Sequence, residues 1–542
     1  MTLFNRILRA RGLDGEEADA FLNPNYDIRH DPFLLPDMEA AVTRLEIALK
    51  NDESITIYGD YDIDGLTAST LLVDAFASFG FKRVDVFIPN RFIEGYGMTV
   101  DAVDQIAATG TTLIVTVDCG SLSEKEIVHA ASLGIDVIVT DHHAVAPVQP
   151  PAIAVINPKR TDHKYPFIDL AGVGVAFKLV QAMQTRMDGL PLGAEKWLLD
   201  LVALGTVCDV VQLVDENRVN VFWGLKVLQK QRRPGLKALM AIARVEPDDL
   251  NARSLGFALG PRMNAAGRLE TAQYSLDMLL ARDPMGALKK AEILDDMNRK
   301  RRLEQDKIFE SAIVQAENFV SDPVLVVSGG GWNHGIVGIV AAKLLEKYAK
   351  PTFVLEEMGE QAKGSARSYG DFSAVEAIRA SDDIIIKGGG HKLAAGVTLF
   401  SDQIDNFRQR VNQLYREKNL HDQRRYLLVD ADVVIDNLVE LNEDLLEKIG
   451  RLEPFGNGNP EIVLRLNEGL VRSKRTMGQD GQHVKIRVAD SSGKAMDFLA
   501  FNAPHHYHVE PGERVNIWFN LTINDFRGIR SVECKIRRLE LS

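Results

Sequence analysis

Residues 54–65 read SITIYGDYDIDG, and their order decides the fold. A short apolar, β-branched run, Ser54–Gly59, ends in aspartates at alternate positions, Asp60, Asp62 and Asp64. The pattern recurs twice. Thr112–Val117 (TLIVTV) leads into Asp118, and Asp136–Thr140 (DVIVT) leads into Asp141, His142 and His143. Helix-length amphipathic segments separate the runs, and such alternation predicts βαβ units with a parallel sheet. In an open α/β sheet the parallel strands end on one edge, and ligands bind in the crevice beyond that edge. Five aspartates and two histidines are therefore expected to converge on one crevice. Negative charge packed so densely is costly unless cations neutralise it.

The spacing of Asp60, Asp62, Asp64 and Gly65 also matches the first half of an EF-hand loop. That loop requires Glu at its twelfth position, where this chain has Leu71. A strand, not a helix, also precedes it, so the EF-hand reading fails. Helix capping, a favoured use of Asp, accounts for one of the three aspartates and poorly for all of them. A donor set of carboxylates with a minority of imidazole, and no thiolate pair, suits Mn²⁺ or Mg²⁺. Gly205-Thr-Val-Cys-Asp209, at the end of an expected helix Trp197–Leu204, adds a further carboxylate. Two such ions about 3.5–4 Å apart activate water and stabilise the attacking and leaving oxygens of a phosphoryl displacement. The chemistry alone points to metal-assisted phosphoester hydrolysis.

The bulk properties bound the rest. The chain has 542 residues, enough for three or four domains, and its 46% hydrophobic and 26% charged content is that of a soluble globular protein. No apolar run approaches the roughly 18 residues that would span a bilayer, and the N-terminus carries no secretory pattern. Three cysteines without paired spacing (Cys119, Cys208, Cys534) exclude a disulfide framework and a zinc knuckle. A reducing, cytoplasmic setting is expected. The net charge of −13 does not suggest a nucleic-acid binder, but binding surfaces are local and part of the acid lies in the aspartate cluster.

Along the chain, an N-terminal arm (1–45) precedes the parallel-sheet domain (46–215). A mainly helical region (216–320) follows, and Gly286–Phe319 within it reads as one long helix, on the order of 50 Å at 1.5 Å per residue. A smaller α/β domain spans 321–420. A linker (421–460) holds the turn cluster Glu453–Pro460 (EPFGNGNP), and 461–542 reads as a small all-β barrel or sandwich.

Asp60-Tyr-Asp62-Ile-Asp64-Gly65, Val117-Asp118-Cys119-Gly120, Asp141-His142-His143 and Gly205-Thr-Val-Cys-Asp209 stand in the order of the four motifs of the DHH phosphoesterases. Gly388-Gly-Gly-His391-Lys-Leu-Ala-Ala395-Gly396 resembles the glycine-rich signature of their DHHA1 domain. Gly260-Pro-Arg262-Met-Asn264-Ala-Ala-Gly267-Arg268 and EPFGNGNP resemble the RecJ branch, single-strand-specific 5′→3′ DNA exonucleases. The resemblance implies an α/β architecture: a DHH domain and a DHHA1 domain joined by the long helix, then a C-terminal oligonucleotide-binding (OB) fold. It implies that Asp62 binds one metal and Asp64, His142 and Asp209 the other, with Asp118 bridging. Asp60 belongs to the same catalytic loop. His143 contacts the phosphate or orients the ligands, and His391 reaches the scissile phosphate from its loop, where Gly389 and Gly390 let backbone N–H groups approach an anion. Arg91, Arg262 and Arg367 are the candidates for binding the 5′ phosphate, because a guanidinium pairs bidentately with phosphate, and Asn264 and Arg268 join them as substrate-binding candidates. Family members place His directly after the Trp corresponding to Trp332; here Asn333 intervenes, so His334 receives no family role.

In the C-terminal module, Arg472, Lys474, Arg475, Lys485 and Arg487, with His483 and Lys494, alternate with the aromatics Phe498, Phe501 and Tyr507. A basic groove with stacking rings holds single strands without strong sequence preference. The tract His505-His506-Tyr507-His508 lacks a paired ligand motif and reads as a surface loop. The resulting expectation is a monomeric exonuclease of recombination and repair. It would release mononucleotides from single-stranded DNA, with single-strand-binding protein as partner. Its competitors are a DHH hydrolase of short oligoribonucleotides or cyclic dinucleotides, and a non-catalytic DNA-binding scaffold.

Overall fold

The computed structural model describes the chain apart from residues 421–422, 479–480, 504–507 and 527–528. Two compact units emerge: Met1–Pro89 with Tyr96–Gly260 and Val429–Ser542, and Asn90–Gly95 with Pro261–Leu428.

The first unit contains the expected parallel sheet. Strands β1 (Ile55–Tyr58), β2 (Val84–Phe87), β3 (Leu113–Val117), β4 (Asp136–Thr140) and β5 (Ala154–Ile156) lie in the order β2-β1-β3-β4-β5. Every pairing is parallel, with Ile55 opposite both Val84 and Leu113. β1 and β3 are buried at every position, as strands covered on both faces must be. That explains why these runs are continuously apolar instead of alternating. The helix Ile63–Phe79 follows β1 directly. The Asp62 side chain caps it by accepting from the Asp64 and Gly65 backbone N–H groups, and Gly80 in the left-handed region ends it. The capping alternative for these aspartates thus holds for Asp62. A Cβ on Gly65 would lie 2.5–2.8 Å from Asp60 backbone atoms, so only glycine lets the loop close tightly enough to gather its carboxylates.

The same unit carries a barrel of β12 (Leu464–Met477), β13 (His483–Ala489), β14 (Ala495–Ala500), β15 (Arg514–Phe526) and β16 (Ile529–Leu541). The order is β12-β13-β14-β16-β15, and β12 pairs with β15 to close it. This is the five-stranded OB topology. The strand β11 (Val433–Ile435) pairs parallel with the start of β12, inside the stretch that the sequence reads as linker.

The N-terminal arm is a packed element. Its helix Leu3–Ala10 buries Leu3, Phe4, Ile7 and Leu8 in the barrel core beside Val433, Ile435, Leu438 and Leu445. Leu3 N–H donates to Glu440 Oε2, and Arg11 donates to Asp432 and Asn459. Partners more than 400 residues away leave no trace in local periodicity. Ile7 is 0% exposed, so Ile7→Ala should destabilise this unit by about 2–5 kcal/mol and lower the denaturant midpoint followed by Trp fluorescence. The EPFGNGNP turn cluster is structural as well. Leu213 N–H donates to Asn457 O, Asn457 Nδ2 to Val210 O, and the buried Arg218 guanidinium to the carbonyls of Phe21, Leu452 and Glu453. The cluster joins the barrel to the parallel-sheet domain.

In the second unit the helix Pro284–Asn318 runs 35 residues, about 52 Å at 1.5 Å per residue. It packs on a small α/β sheet of β6 (Leu325–Gly330), β7 (Thr352–Met358), β8 (Gln361–Arg367), β9 (Ile385–Gly390) and β10 (Ala394–Phe400), ordered β6-β7-β8-β10-β9. Only β6–β7 is parallel; β7–β8, β8–β10 and β9–β10 are antiparallel. Among the described residues no helix is long and apolar enough to cross a membrane.

Candidate metal centre

The residues following β1, β3 and β4 meet at the strands' C-terminal edge. His142 Nε2 lies 3.1 Å from Asp118 Oδ1, 3.5 Å from Asp209 Oδ2 and 3.7 Å from Asp64 Oδ2. Three sets of donor atoms each fall within 4.8 Å of one another: Asp60, Asp62 and Asp118; Asp64, His142 and Asp209; Asp118, His142 and His143. Asp118 and His142 are shared between sets. Asp209 arrives at the C-terminal end of the helix Leu199–Cys208. Asp118 holds φ 62°, a left-handed conformation that Asp and Asn tolerate better than other non-glycine residues.

Asp141 is not a donor of the same kind. Its carboxylate accepts from Ser121 N–H, His142 N–H and His143 N–H, and from His143 Nδ1 at 2.9 Å. Burial opposes its ionisation, but the hydrogen bond and charge of His143 outweigh burial and hold it well below the usual carboxylate range. Asp141 therefore orients both histidines.

The electrostatics fit a cation site. Burial, then the Asp62 charge, pushes Asp64 up to about 7. Burial and the Asp64 charge push Asp209 up to about 9, and burial and its carboxylate neighbours raise Asp118 well above the usual range. Burial, then the charge of His143, lowers His142 to about 3, so its ring is neutral. A hydrogen bond to the Leu170 backbone acts on that ring, while Nε2 and Asp118 Oδ1 are buried without a hydrogen-bond partner. Nε2 thus turns a lone pair toward three carboxylates, an arrangement that a divalent cation resolves. Carboxylates with one imidazole suit Mn²⁺ or Mg²⁺.

The sequence did not single out several groups that build this site. The N-terminus of the helix Gly172–Gln184 donates Gly172 N–H and Val173 N–H to Asp64 at 2.6 and 2.8 Å. A Cβ on Gly172 would lie 2.8 Å from Asp118 Oδ1. Asn157, after β5, donates to Ser121 Oγ and His143 O. Tyr96 Oη lies 2.9 Å from His143 Nδ1, with the two rings edge-to-face at 5.4 Å. Burial lowers His143, but its bond to Asp141 and the surrounding carboxylate charge prevail and leave its pKa raised. Tyr96→Phe removes one of the two groups on Nδ1 and should lower turnover about tenfold, with Mn²⁺ affinity by calorimetry unchanged. The only sequence signal for Tyr96 is its place between Gly95 and Gly97.

The other sequence candidates lie elsewhere. Arg91, Arg262, Asn264, Arg268 and Arg367 all belong to the second unit. Arg262 Nε donates to Asp295, and Arg268 donates to Gly335 O at the start of the helix His334–Tyr348. Arg367 donates to Ala366 O, and burial lowers its pKa. The Asn90 side chain of the Arg91 loop donates to Glu270 O, which ties that loop to the Arg262–Arg268 segment. Gly389 and Gly390 are the exposed end of β9, paired with Gly396 and Ala395 of β10, and His391 opens the exposed turn between the two strands, its N–H donating to Ala394 O.

On the barrel, Arg472 and Arg475 are exposed, whereas Lys485 and Arg487 pair with Asp497 at 2.8 and 3.0 Å, and Lys474 lies 3.7 Å from Glu510. One aromatic expectation is corrected: Phe498 is a core residue, packed edge-to-face on Phe519 at 5.0 Å, because its position on β14 points inward. Phe501, 52% exposed, stacks edge-to-face with His483 under Lys535. His505, His506 and Tyr507 lie outside the described residues.

The chain matches the DHH family N-terminal domain over residues 54–206, the DHHA1 domain over 321–417 and the RecJ OB domain over 430–538. It is 35% identical over 542 residues to the single-stranded-DNA-specific exonuclease RecJ of Bacillus subtilis, covering 99% of this chain and 67% of that protein. With the Escherichia coli protein of the same description it shares 36% identity over 528 residues, 92% of this chain and 89% of that one. The crystal structure of Thermus thermophilus RecJ in complex with Mn²⁺ superposes with a TM-score of 0.84 at 29% identity, covering 99% of this chain and 75% of that chain. The same protein has also been solved with Mg²⁺. With a relative this similar aligned over nine-tenths of both chains, and all three domain types in matching order, the chain belongs to the RecJ family.

Proposed function

We propose that this chain is a metal-dependent, single-strand-specific DNA exonuclease that digests from the 5′ end and releases mononucleotides. The observation that carries it is the cluster of buried Asp60, Asp64, Asp118 and His142 with half-buried Asp62 and Asp209, whose donor atoms fall into close-set groups in a chain of this family. Asp60, Asp62 and Asp118 hold one ion; Asp64, His142 and Asp209 hold the other; Asp118 is shared. When bound, Mn²⁺ or Mg²⁺ lowers the pKa of water and offsets the charge on the phosphate. His143, its Nδ1 fixed by Asp141 and Tyr96, holds a proton for the phosphate or for the departing 3′ oxygen. His391, with the amides of Gly389 and Gly390, binds the scissile phosphate. Arg91, Arg262 and Arg367 bind the 5′-terminal phosphate, and Asn264 and Arg268 contact the substrate beside them. Arg472 and Arg475, with Lys474, Lys485, Arg487 and the Phe501 ring, hold the downstream strand. The same reading takes in a cytoplasmic monomer of recombination and repair, with single-strand-binding protein as partner.

The test is incubation with Mn²⁺ and a 5′-phosphorylated, 3′-labelled single strand beside its blunt duplex. Stepwise shortening from the 5′ end of the single strand alone is expected. Intact long DNA, with cleavage of dinucleotides added in parallel, would replace this reading with a small-substrate hydrolase; the RecJ OB match over 430–538 speaks for the polymer. Binding of DNA without cleavage of either would leave a scaffold.

A further inference from the structure

A groove of about 670 Å³ lies on the barrel between the helix Glu443–Gly450 and β15. Two features set it apart from an ordinary surface crease.

The first is an open strand edge. β12 pairs with β15 only as far as Phe519, whereas β16 follows β15 to Phe526. Beyond Phe519, no strand among the described residues covers the other edge of β15. Leu521, Thr522 and Ile523 all line the groove. Successive strand residues point to opposite faces, so a groove that touches three in a row runs along the edge itself. Thr522 Oγ1 is buried there without a hydrogen-bond partner. An uncovered edge is a template for another strand, and proteins usually blunt it with lysine, proline or a bulge; none occurs at Leu521–Ile523.

The second feature is the lining. Leu446, Ile449, Phe455 and Ile523 supply an apolar floor, with Ile523 43% exposed. Glu443, Glu447, Glu453 and Glu461 surround it, and Arg530 is the one cation among the described lining residues. Glu461 has Arg253 and Arg537 at 4.0 Å. Glu443, Glu447 and Glu453 have no cationic partner among the described residues, and burial, then the Glu461 charge, raises Glu453. A nucleic-acid strand would be repelled from such a rim.

We propose that this groove docks an extended segment of a protein partner with alternating basic and apolar side chains, added as a strand along Leu521–Ile523. Main-chain bonds to the open edge supply affinity, and the alternating side chains meet the apolar floor and the glutamates, as in other cases of β-strand addition.

The test uses the full chain and a fluorescein-labelled peptide of about ten alternating Lys and Val residues, a typical strand length, with binding read by anisotropy. Two controls accompany it: the Glu/Val counterpart, and the Lys/Val peptide N-methylated at alternate residues on its pairing edge. Glu443→Lys/Glu447→Lys should weaken the Lys/Val peptide at least tenfold while single-strand digestion stays at the wild-type rate, which shows that the variant is folded. Both control peptides should also bind at least tenfold more weakly. Equal binding by the N-methylated peptide would overturn strand addition. Equal binding by the double variant would overturn the location. Displacement of the peptide by a single-stranded oligonucleotide would make the groove part of the DNA path and overturn the assignment to a protein.

Discussion

Asp118→Asn should reduce hydrolysis of a 5′-phosphorylated single strand by about 10³-fold or more, equivalent to about 4 kcal/mol of lost transition-state stabilisation. Asp118 belongs to two of the three donor sets, so its loss weakens both halves of the centre at once. Asparagine is the informative replacement. It keeps the shape of the side chain and tolerates the φ of 62° at this position, so the fold is retained while the charge is removed. The expected accompaniment, by calorimetry, is loss of at least one Mn²⁺ equivalent with single-strand binding preserved. Retention of both turnover and Mn²⁺ stoichiometry would show that Asp118 is not the shared ligand. Without metal, the variant should be at least as stable as the parent, because the replaced carboxylate is buried among Asp60, Asp62, Asp64 and Asp209.

The second large effect joins metal to pH. Asp64 is raised to about 7 and Asp209 to about 9, so the metal-free folded protein keeps protons that the unfolded chain has already lost. Where the folded state binds more protons, stability falls as pH rises. The metal-free protein should therefore lose thermal stability progressively between about pH 5 and pH 9. Mn²⁺ requires both carboxylates ionised, so its binding releases protons and strengthens over the same range. At about 100 times the dissociation constant, the ion adds roughly 2.7 kcal/mol of stability, and the melting temperature should then rise or hold across the window in which the metal-free protein weakens. Differential scanning calorimetry with and without Mn²⁺ checks both slopes. A metal-free melting temperature that rises with pH would contradict the crowded-carboxylate account.

Much of the candidate metal centre was legible because its residues are local to strand ends. A run buried on both faces is continuously apolar, and polar residues crowd just past it; Asp60 to Asp64, Asp118 and His142 follow that rule. The division of labour among the acids was not legible. Asp141 and Asp118 occupy equivalent places after neighbouring strands, yet one carboxylate is saturated by three amides and an imidazole while the other points an unpartnered oxygen at His142. Only the turn geometry separates them. Similarly, Phe498 and Phe501 are three residues apart and equally aromatic, but Phe498 lies within β14 and in the core, whereas Phe501 falls just past the strand's end and is exposed.

What the sequence determined by itself is what depends on short-range order: three β-strand runs with their acidic ends, the long helix between two α/β domains, the barrel, and a donor set suited to hard divalent ions. The tertiary structure alone decided what depends on distant partners. It placed the N-terminal helix in the core of the C-terminal barrel and made EPFGNGNP a joint between domains. It brought the Gly172 and Val173 amides to Asp64 and Tyr96 to His143, and it left β15 with an open edge. Hydrophobic burial and hydrogen bonding act between whichever groups the chain brings together, and residues hundreds of positions apart leave no periodic signature of that meeting.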